Sequence, residues 1–462
     1  MEFKISKEFI LEVEELIIEK NEREILRVLE DIHFADIAEL MNELKAEDAG
    51  YLFKILESEV TSEILLELDE EVREKILNNL SAKEIAEELD EMDTDDAADI
   101  ISELPEEMKG EVISELEDFE HAKDIVELLR YDEDTAGGLM AKEYIQANEN
   151  WNVLTCIQEI RKQAENVSRV HSIYVVDDED RLKGRLSLKD LITSSTTTKI
   201  KDIFIPKVDY VRVDTEDIEV ARIMQKYDLE AIPVVDETGR LVGRITIDDI
   251  VDVIKDEADK DYQMAAGISQ DVEADDSIWE LTRARLPWLL LALIGSFIAV
   301  NVSQSFGDAM EQYGTLFFFT PLVAAMAGNV GVQSSAIIVQ GLANNSISGS
   351  IWKRLAKEML LALLNSTILA GLLLMATHFI MGTSYEISST IVLALVIVMI
   401  LASLIGTFIP FMLHKYGVDP AIATGPFITT SNDIFGLLIY FTIAKMILGF
   451  QLSQKTPSKL KF

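Results

Sequence analysis

The chain has 462 residues, 48% of them hydrophobic, and its 82 acidic and 41 basic side chains leave a formal net charge of −41. Residues 1–264 hold 71 acids and 31 bases, while residues 265–462 hold 11 and 10 and are largely apolar. So acidic a surface repels phosphate backbones and excludes nucleic acid as a partner. The single cysteine, Cys156, and five scattered histidines exclude a disulfide scaffold and thiolate or zinc-type metal sites.

In residues 1–135, Leu, Ile and Ala recur at three- and four-residue spacings between Glu and Lys, the pattern of amphipathic helices. The segment repeats itself. Ile37-Ala38-Glu39-Leu40-Met41 matches Ile85-Ala86-Glu87-Glu88-Leu89, and the ungapped match runs on through Ala49 and Ala97. A third copy is expected from Ile125 to Gly137. Stacked helical repeats of this length form a small solenoid. The opening Met1-Glu2-Phe3-Lys4 has no apolar signal region, so this part is expected in the cytoplasm.

A second repeat fills residues 138–256. Ile173-Tyr174-Val175-Val176-Asp177 aligns with Ile232-Pro233-Val234-Val235-Asp236, and Gly184-Arg185-Leu186-Ser187-Leu188-Lys189-Asp190 aligns with Gly243-Arg244-Ile245-Thr246-Ile247-Asp248-Asp249. Each copy reads helix, strand, polar turn, strand, helix. This resembles a tandem CBS-domain pair, with copies at 136–199 and 200–254. In some CBS proteins the G-x-x-[ST]-x-x-D ending holds a nucleotide ribose. By resemblance Gly184, Ser187, Asp190, Gly243, Thr246 and Asp249 are candidates to bind ATP or another adenine nucleotide.

Residues 248–263 read as one acidic helix, with Asp249, Asp252, Asp256 and Asp259 on one face. Like charges at these steps repel unless a cation or solvent relieves them. Five apolar stretches follow, about 284–306, 315–342, 355–382, 387–414 and 421–450, each long enough to cross roughly 30 Å of hydrocarbon. Arg283, Arg285, Lys353, Arg354, Lys357 and Lys415 fall on one side of this pattern; the loops at Asp308/Glu311 and Glu386 carry no Lys or Arg. The N-terminus is therefore expected inside and the C-terminus outside. Lys455, Lys459 and Lys461 in the tail argue weakly the other way.

Asp433 is the one acid in the last stretch, and no Lys or Arg stands at matching depth to pair with it. A carboxylate there is costly unless it faces a partner or a watery path, and its natural partner is a cation. Pro321, Gly328-Asn329-Val330-Gly331 and Gly425-Pro426 are expected to interrupt the second and fifth spans. With Asn329, Thr429, Thr430 and Asn432 they suggest a path lined by oxygen, suited to hard cations such as Mg²⁺, Ca²⁺ or Mn²⁺.

The whole order resembles the MgtE family of magnesium channels. It runs as an all-α helical-repeat solenoid (1–135), an α/β tandem CBS pair, an acidic connecting helix (255–280), a five-helix α transmembrane bundle (281–452) and a tail (453–462). The closest motifs are Pro321 through Ser334 and Asp419-Pro420 through Asp433-Ile434-Phe435-Gly436. The resemblance implies a homodimer in a bacterial-type inner membrane that imports Mg²⁺, and Mn²⁺ and Co²⁺ are further candidate ions. Its second and fifth spans would line one pore, with Asp433 holding a hydrated ion and Gly328, Gly331 and Gly436 near the constriction. It also implies regulatory Mg²⁺ sites at Asp95, Asp99, Asp228, Asp249, Asp252, Glu257, Asp261 and Asp419. Lys260 stands where another acid is expected, which weakens that site or shifts it to Asp259. Two readings of other classes remain: a CBS-regulated membrane sensor that does not conduct, and a proton-coupled divalent-cation transporter. No nucleophile–base pair, phosphate loop or His/Cys cluster points to an enzyme.

Overall fold

The computed structural model describes residues 5–164, 167, 169–270, 272, 276–307, 312–343, 347, 350–423 and 425–449. The Asp308/Glu311 loop and the tail lysines lie outside the described residues. The chain divides into two compact units, Met1–Lys255 and Asp256–Phe462.

The first unit opens with short helices. They are Lys7–Glu19 (α1), Glu22–Leu29 (α2), Phe34–Glu43 (α3), Ala46–Ile55 (α4), Ser58–Glu67 (α5), Glu70–Leu77 (α6), Ala82–Leu89 (α7), Thr94–Glu103 (α8), Glu106–Glu115 (α9) and Phe119–Leu128 (α10). Starts are set by side chains that satisfy orphan backbone donors. Ser81 and Glu84 form a reciprocal capping box on α7, and Asp118 accepts from Glu120 and His121 on α10. Helices two apart stack, α3 on α5, α5 on α7 and α7 on α9, with α4 on α6 and α8 on α10. The repeat is a packing repeat: Ile37/Ile85, Ala38/Ala86, Met41/Leu89, Ala49/Ala97, Leu52/Ile100 and Phe53/Ile101 are all buried. The third copy stops after α10. Where a second helix would start, Ala136 and Gly137 donate to Thr215 and Val213 carbonyls, so the chain pairs with the next domain instead of coiling.

Two small sheets follow. Strands Ile145–Asn148 (β1), Ile173–Val176 (β2), Leu182–Leu186 (β3) and Ile205–Pro206 (β4) form one, and Val211–Arg212 (β5), Ala231–Val235 (β6) and Leu241–Thr246 (β7) form the other. Helices Val153–Gln163 (α11), Leu188–Thr193 (α12) and Asp217–Tyr227 (α13) accompany them. The copies share register and irregularity. Ile173 opposes Leu186 and Ile232 opposes Ile245, with a slip at Val175/Val176 and at Val234/Val235. Reciprocal bonds join them: the Leu182 N–H donates to Gly239 O, and the Leu241 N–H to Asp180 O. The sequence repeat is therefore a pseudo-twofold pair. Helix α14, Ile247–Ala266, carries the acidic stripe, three residues longer at its C-terminal end than the charge pattern marks.

The second unit contains five helices long and apolar enough to cross a membrane, as the sequence indicates. They are Ile278–Ser305 (α15), Gly314–Phe318 (α16) with Thr320–Ala343 (α17), Ile351–Leu374 (α18) running on as a π-helical turn Met375–Ile380, Tyr385–Lys415 (α19) and Gly425–Leu448 (α20). Their interruptions fall at helix starts. The second span breaks before Pro321, the second residue of α17, and Gly328 and Gly331 sit inside unbroken helix. Gly425-Pro426 begins α20, with Gly425 at φ +43°. Proline tolerates a first turn because its missing N–H is an orphan there anyway. Gly328 and Gly331 serve close packing: a Cβ on Gly406 of α19 would lie 2.3 Å from Gly331 O. Small residues of this kind let helices approach where lipid offers no hydrophobic drive between them.

Candidate cation sites in the two units

Asp433 lies two turns into α20 and is half-buried. Among the described residues nothing hydrogen-bonds or ion-pairs with its carboxylate. A helix places residues three and four apart on one face, so Thr429, Asp433 and Gly436 share one. That face meets α17. A Cβ on Gly328 would lie 3.2 Å from Thr429 Cγ2 and 3.9 Å from Asp433 Oδ1. One on Gly436 would lie 3.3 Å from Ala327 Cβ. The Thr429 hydroxyl donates to Gly425 O at 2.9 Å, leaving its lone pairs for other use.

The expected oxygen-lined path narrows accordingly. Thr430 packs on α15, where its Cγ2 fills the place of a Cβ on Gly295. Asn432 is 1% exposed, its amide has no partner among the described residues, and it presses on Gly331 of α17. Neither joins the contact with Gly328: Asn432 adjoins Asp433 and a helix turns 100° per residue, and Thr430 is taken up by Gly295 of α15. Asn329 is exposed on α17.

The first unit crowds its carboxylates. Asp95 and Asp96 of α8 and Asp249 of α14 meet at a cavity of about 390 Å³ that also holds Asp93, Asp248, Arg169, His171 and Arg244; Asp99, one turn further along α8, does not line it but feels the charge of Asp249. Carboxylate oxygens of Asp93, Asp95 and Glu143 lie within 4.8 Å of one another. Burial, then the charges of Asp96 and Asp249, holds Asp95 well above the usual carboxylate range. Asp96 is pushed up to about 8 by burial and then Asp249, and Asp99 to about 7 by burial and then Glu133 and Glu103. Asp249 rises to about 6 by burial, although Thr246 N and Oγ1 donate to it at 2.9 and 2.8 Å. Arg244, 4% exposed, supplies partial compensation through Asp93 at 3.4 Å. Asp252 is exposed on α14, and Asp228 is exposed at the left-handed cap of α13.

In the second unit, burial and then the charge of Asp419 raise Asp261. Glu257 is exposed on α14. The sequence reading missed Asp96, Glu143 and Glu358. Glu143 reaches the cluster from the segment before β1, and no spacing links it to α8. Glu358 sits in α18 beside Lys357, where it reads as part of a basic loop.

The nucleotide motifs take two forms. Thr246 and Asp249 are closed on each other at the start of α14. Ser187 instead lines a separate cavity of about 280 Å³ with His171, Ser172 and Arg185, and Asp190 lies in the first turn of α12. Gly184 and Gly243 are set by packing: a Cβ would lie 2.2 Å from Ile205 O at the first and 2.7 Å from Met140 Sδ at the second.

An acidic helical-repeat domain, a CBS pair and a five-helix apolar bundle holding an internal carboxylate with no partner among the described residues fit a membrane transport protein. The comparisons place it. The profile of the MgtE intracellular N domain matches residues 32–134, that of the CBS domain matches 136–196 and 200–256, and that of the MgtE divalent cation transporter matches 320–443. The chain is 36% identical to the magnesium transporter MgtE of Thermus thermophilus over 71% of this chain and 76% of that one. It is 35% identical to the Bacillus subtilis magnesium transporter MgtE over 70% and 72%. A crystal structure of the cytosolic domain of the Mg²⁺ channel MgtE in complex with ATP is 38% identical, with a TM-score of 0.50, covering 53% of this chain and 99% of that one. The chain belongs to the MgtE family.

Proposed function

We propose that this protein is a Mg²⁺ channel of a bacterial-type cell membrane that imports Mg²⁺ and is closed by cytosolic Mg²⁺. The observation that carries the reading is the Asp433 carboxylate. It stands half-buried in an apolar helix bundle with no partner among the described residues, on the α20 face that meets Gly328 of α17. A lone internal carboxylate invites a cation. Mg²⁺ holds its water tightly, so Asp433 attracts a hydrated ion by charge, and Thr429 and Asn329 offer oxygens to its shell. The relatives named as magnesium transporters support Mg²⁺ as substrate; Mn²⁺ and Co²⁺ are further candidate ions. The functional unit in this reading is a homodimer, with Gly328, Gly331 and Gly436 near the pore. The N-terminus is cytoplasmic and the C-terminus outside.

Closure follows from the first unit. Asp95 and Asp249 share one cavity and Asp99 lies close enough to feel Asp249; all three resist ionisation, and their oxygens suit Mg²⁺. Bound Mg²⁺ would relieve the repulsion and favour the compact state, the basis of a two-state gate. Asp228, Asp252, Glu257, Asp261 and Asp419 extend the regulatory set. The Ser187 cavity is the candidate adenine-nucleotide site; the relative's cytosolic domain crystallised with ATP supports that. The role is transport and not catalysis. The test is Mg²⁺ flux into liposomes carrying the protein, as a function of internal Mg²⁺. Flux that survives Asp433→Ala unchanged in a folded protein removes the pore assignment.

A further inference from the structure

Glu358 is a third kind of carboxylate, neither crowded nor alone. It lies on α18, two turns from the start of a span-length apolar helix and next to Lys357, and is half-buried. Ser334 Oγ of α17 donates to its Oε1 at 2.6 Å, and Ser403 Oγ of α19 donates to the same oxygen at 2.7 Å. The two hydroxyls lie 2.9 Å apart. Ser334 is 4% and Ser403 1% exposed. Among the described residues no Lys or Arg pairs with Glu358. Charge-assisted bonds of this length are about twice as strong as neutral ones, and apolar surroundings leave the hydroxyls no water to turn to.

The clamp sits on the helix face that leads to Asp433. One turn before Ser334, Gly331 O meets Gly406 of α19, itself one turn from Ser403. At the same point Gly331 meets the buried Asn432 amide, where a Cβ would lie 1.8 Å from Nδ2. Asn432 adjoins Asp433 in sequence. One turn further back, Gly328 meets Thr429 and Asp433. Glu358 thus fixes the rotation of α17 at one end of a contact row that ends on the Asp433 face.

We infer that Glu358 is a positioning residue for cation binding: through Ser334 and Ser403 it holds α17 in the rotation that presents Gly328 to Asp433. The inference rests on the pore reading of Asp433. It acts through another residue, so loss of the clamp loosens ion binding more than it blocks passage.

The experiment is Mg²⁺ flux into proteoliposomes across external Mg²⁺, with folding checked by gel filtration and thermal melting in detergent. Glu358→Ala is expected to raise half-saturating Mg²⁺ about three- to tenfold, the range of coupling along packed networks, with a smaller change in maximal flux. Ser334→Ala combined with Ser403→Ala should do the same. Glu358→Gln, which keeps one acceptor oxygen at the same reach, should restore most of the affinity. Unchanged half-saturation in folded Glu358→Ala overturns the inference; if that variant does not fold, unchanged half-saturation in the double serine variant overturns it. A fall in melting temperature alone, with wild-type half-saturation, marks a purely structural tie and also overturns it. Asp433→Ala run alongside separates the two readings. If it conducts normally, the pore reading fails; if it is silent while Glu358→Ala binds as wild type, only the positioning role falls.

Discussion

Asp95 and Asp433 are both half-buried aspartates, yet their surroundings differ in kind. Asp95 shares its cavity with Asp93, Asp96, Asp248 and Asp249, and its chief perturbation after burial is other carboxylates. Asp433 has apolar helix around it, Gly328 opposite and, among the described residues, no charged neighbour on its face. Crowded acids resist ionising together and gain from any cation that bridges them. A solitary acid draws one ion without holding a second. The first arrangement suits a sensor whose compactness follows cation concentration, and the second suits a point on a path. Packing follows the same division. Solenoid helices leave Gly50 and Gly110 open, with nothing within 4 Å of an added Cβ, whereas Gly331 and Gly406 are in backbone contact.

The sharpest break between the two regions is expected from Asp433→Ala. Mg²⁺ flux should fall by at least about 100-fold, the equivalent of ~2.7 kcal/mol, while the soluble unit melts as before. Next comes the sensor. Substituting Asp95, Asp99, Asp249 and Asp252 together by Ala should leave a channel that conducts and closes only at higher internal Mg²⁺, its half-inhibiting concentration rising about tenfold or more, as expected when a bridging ligand loses its differential affinity. Normal closure in that variant would move the gate to Glu257, Asp261 and Asp419.

A smaller effect separates the units by pH. Asp96 and Asp99 are raised to about 8 and about 7 in the folded state. The folded chain therefore holds protons that the unfolded chain, titrating near 4, has released. Stability must fall as pH rises between those values. With chelator present, fragment 1–262 should melt several degrees higher near pH 5 than near pH 8. Millimolar Mg²⁺ should flatten the slope, because it binds the ionised cluster, and K⁺ at matched ionic strength should flatten it less. Equal flattening by K⁺ would reduce the effect to screening.

The smallest contrast is in the glycines. Gly331→Ala brings a Cβ to 1.8 Å from Asn432 Nδ2 and should cost about 1–3 kcal/mol by overpacking, read as lower thermal stability in detergent. Gly50→Ala and Gly110→Ala, in open helical positions, should each gain about 0.5–1 kcal/mol. Equal effects in both units would erase the packing distinction.

Local periodicity alone determined the solenoid, the paired α/β repeats, the acidic helix and the number of long apolar helices, since each is written in spacings of a few residues or in an offset copy. The shared register of β2 on β3 and β6 on β7 came from the structure, where the aligned copies pair alike. Tertiary structure alone decided which polar residues meet. Asp433, Thr429 and Gly328 came together because α20 packs one face on α17; Thr430 and Asn432 went instead to Gly295 of α15 and to Gly331. The third solenoid copy, matched in sequence from Ile125 to Gly137, ended after α10, where backbone pairing with Thr215 and Val213 stands in place of a second helix. Glu143 joined Asp93 and Asp95, and Glu358 joined Ser334 and Ser403, across separations that carry no period. Period records which face of an element is buried; only the packing of one element on another fixes what that face touches.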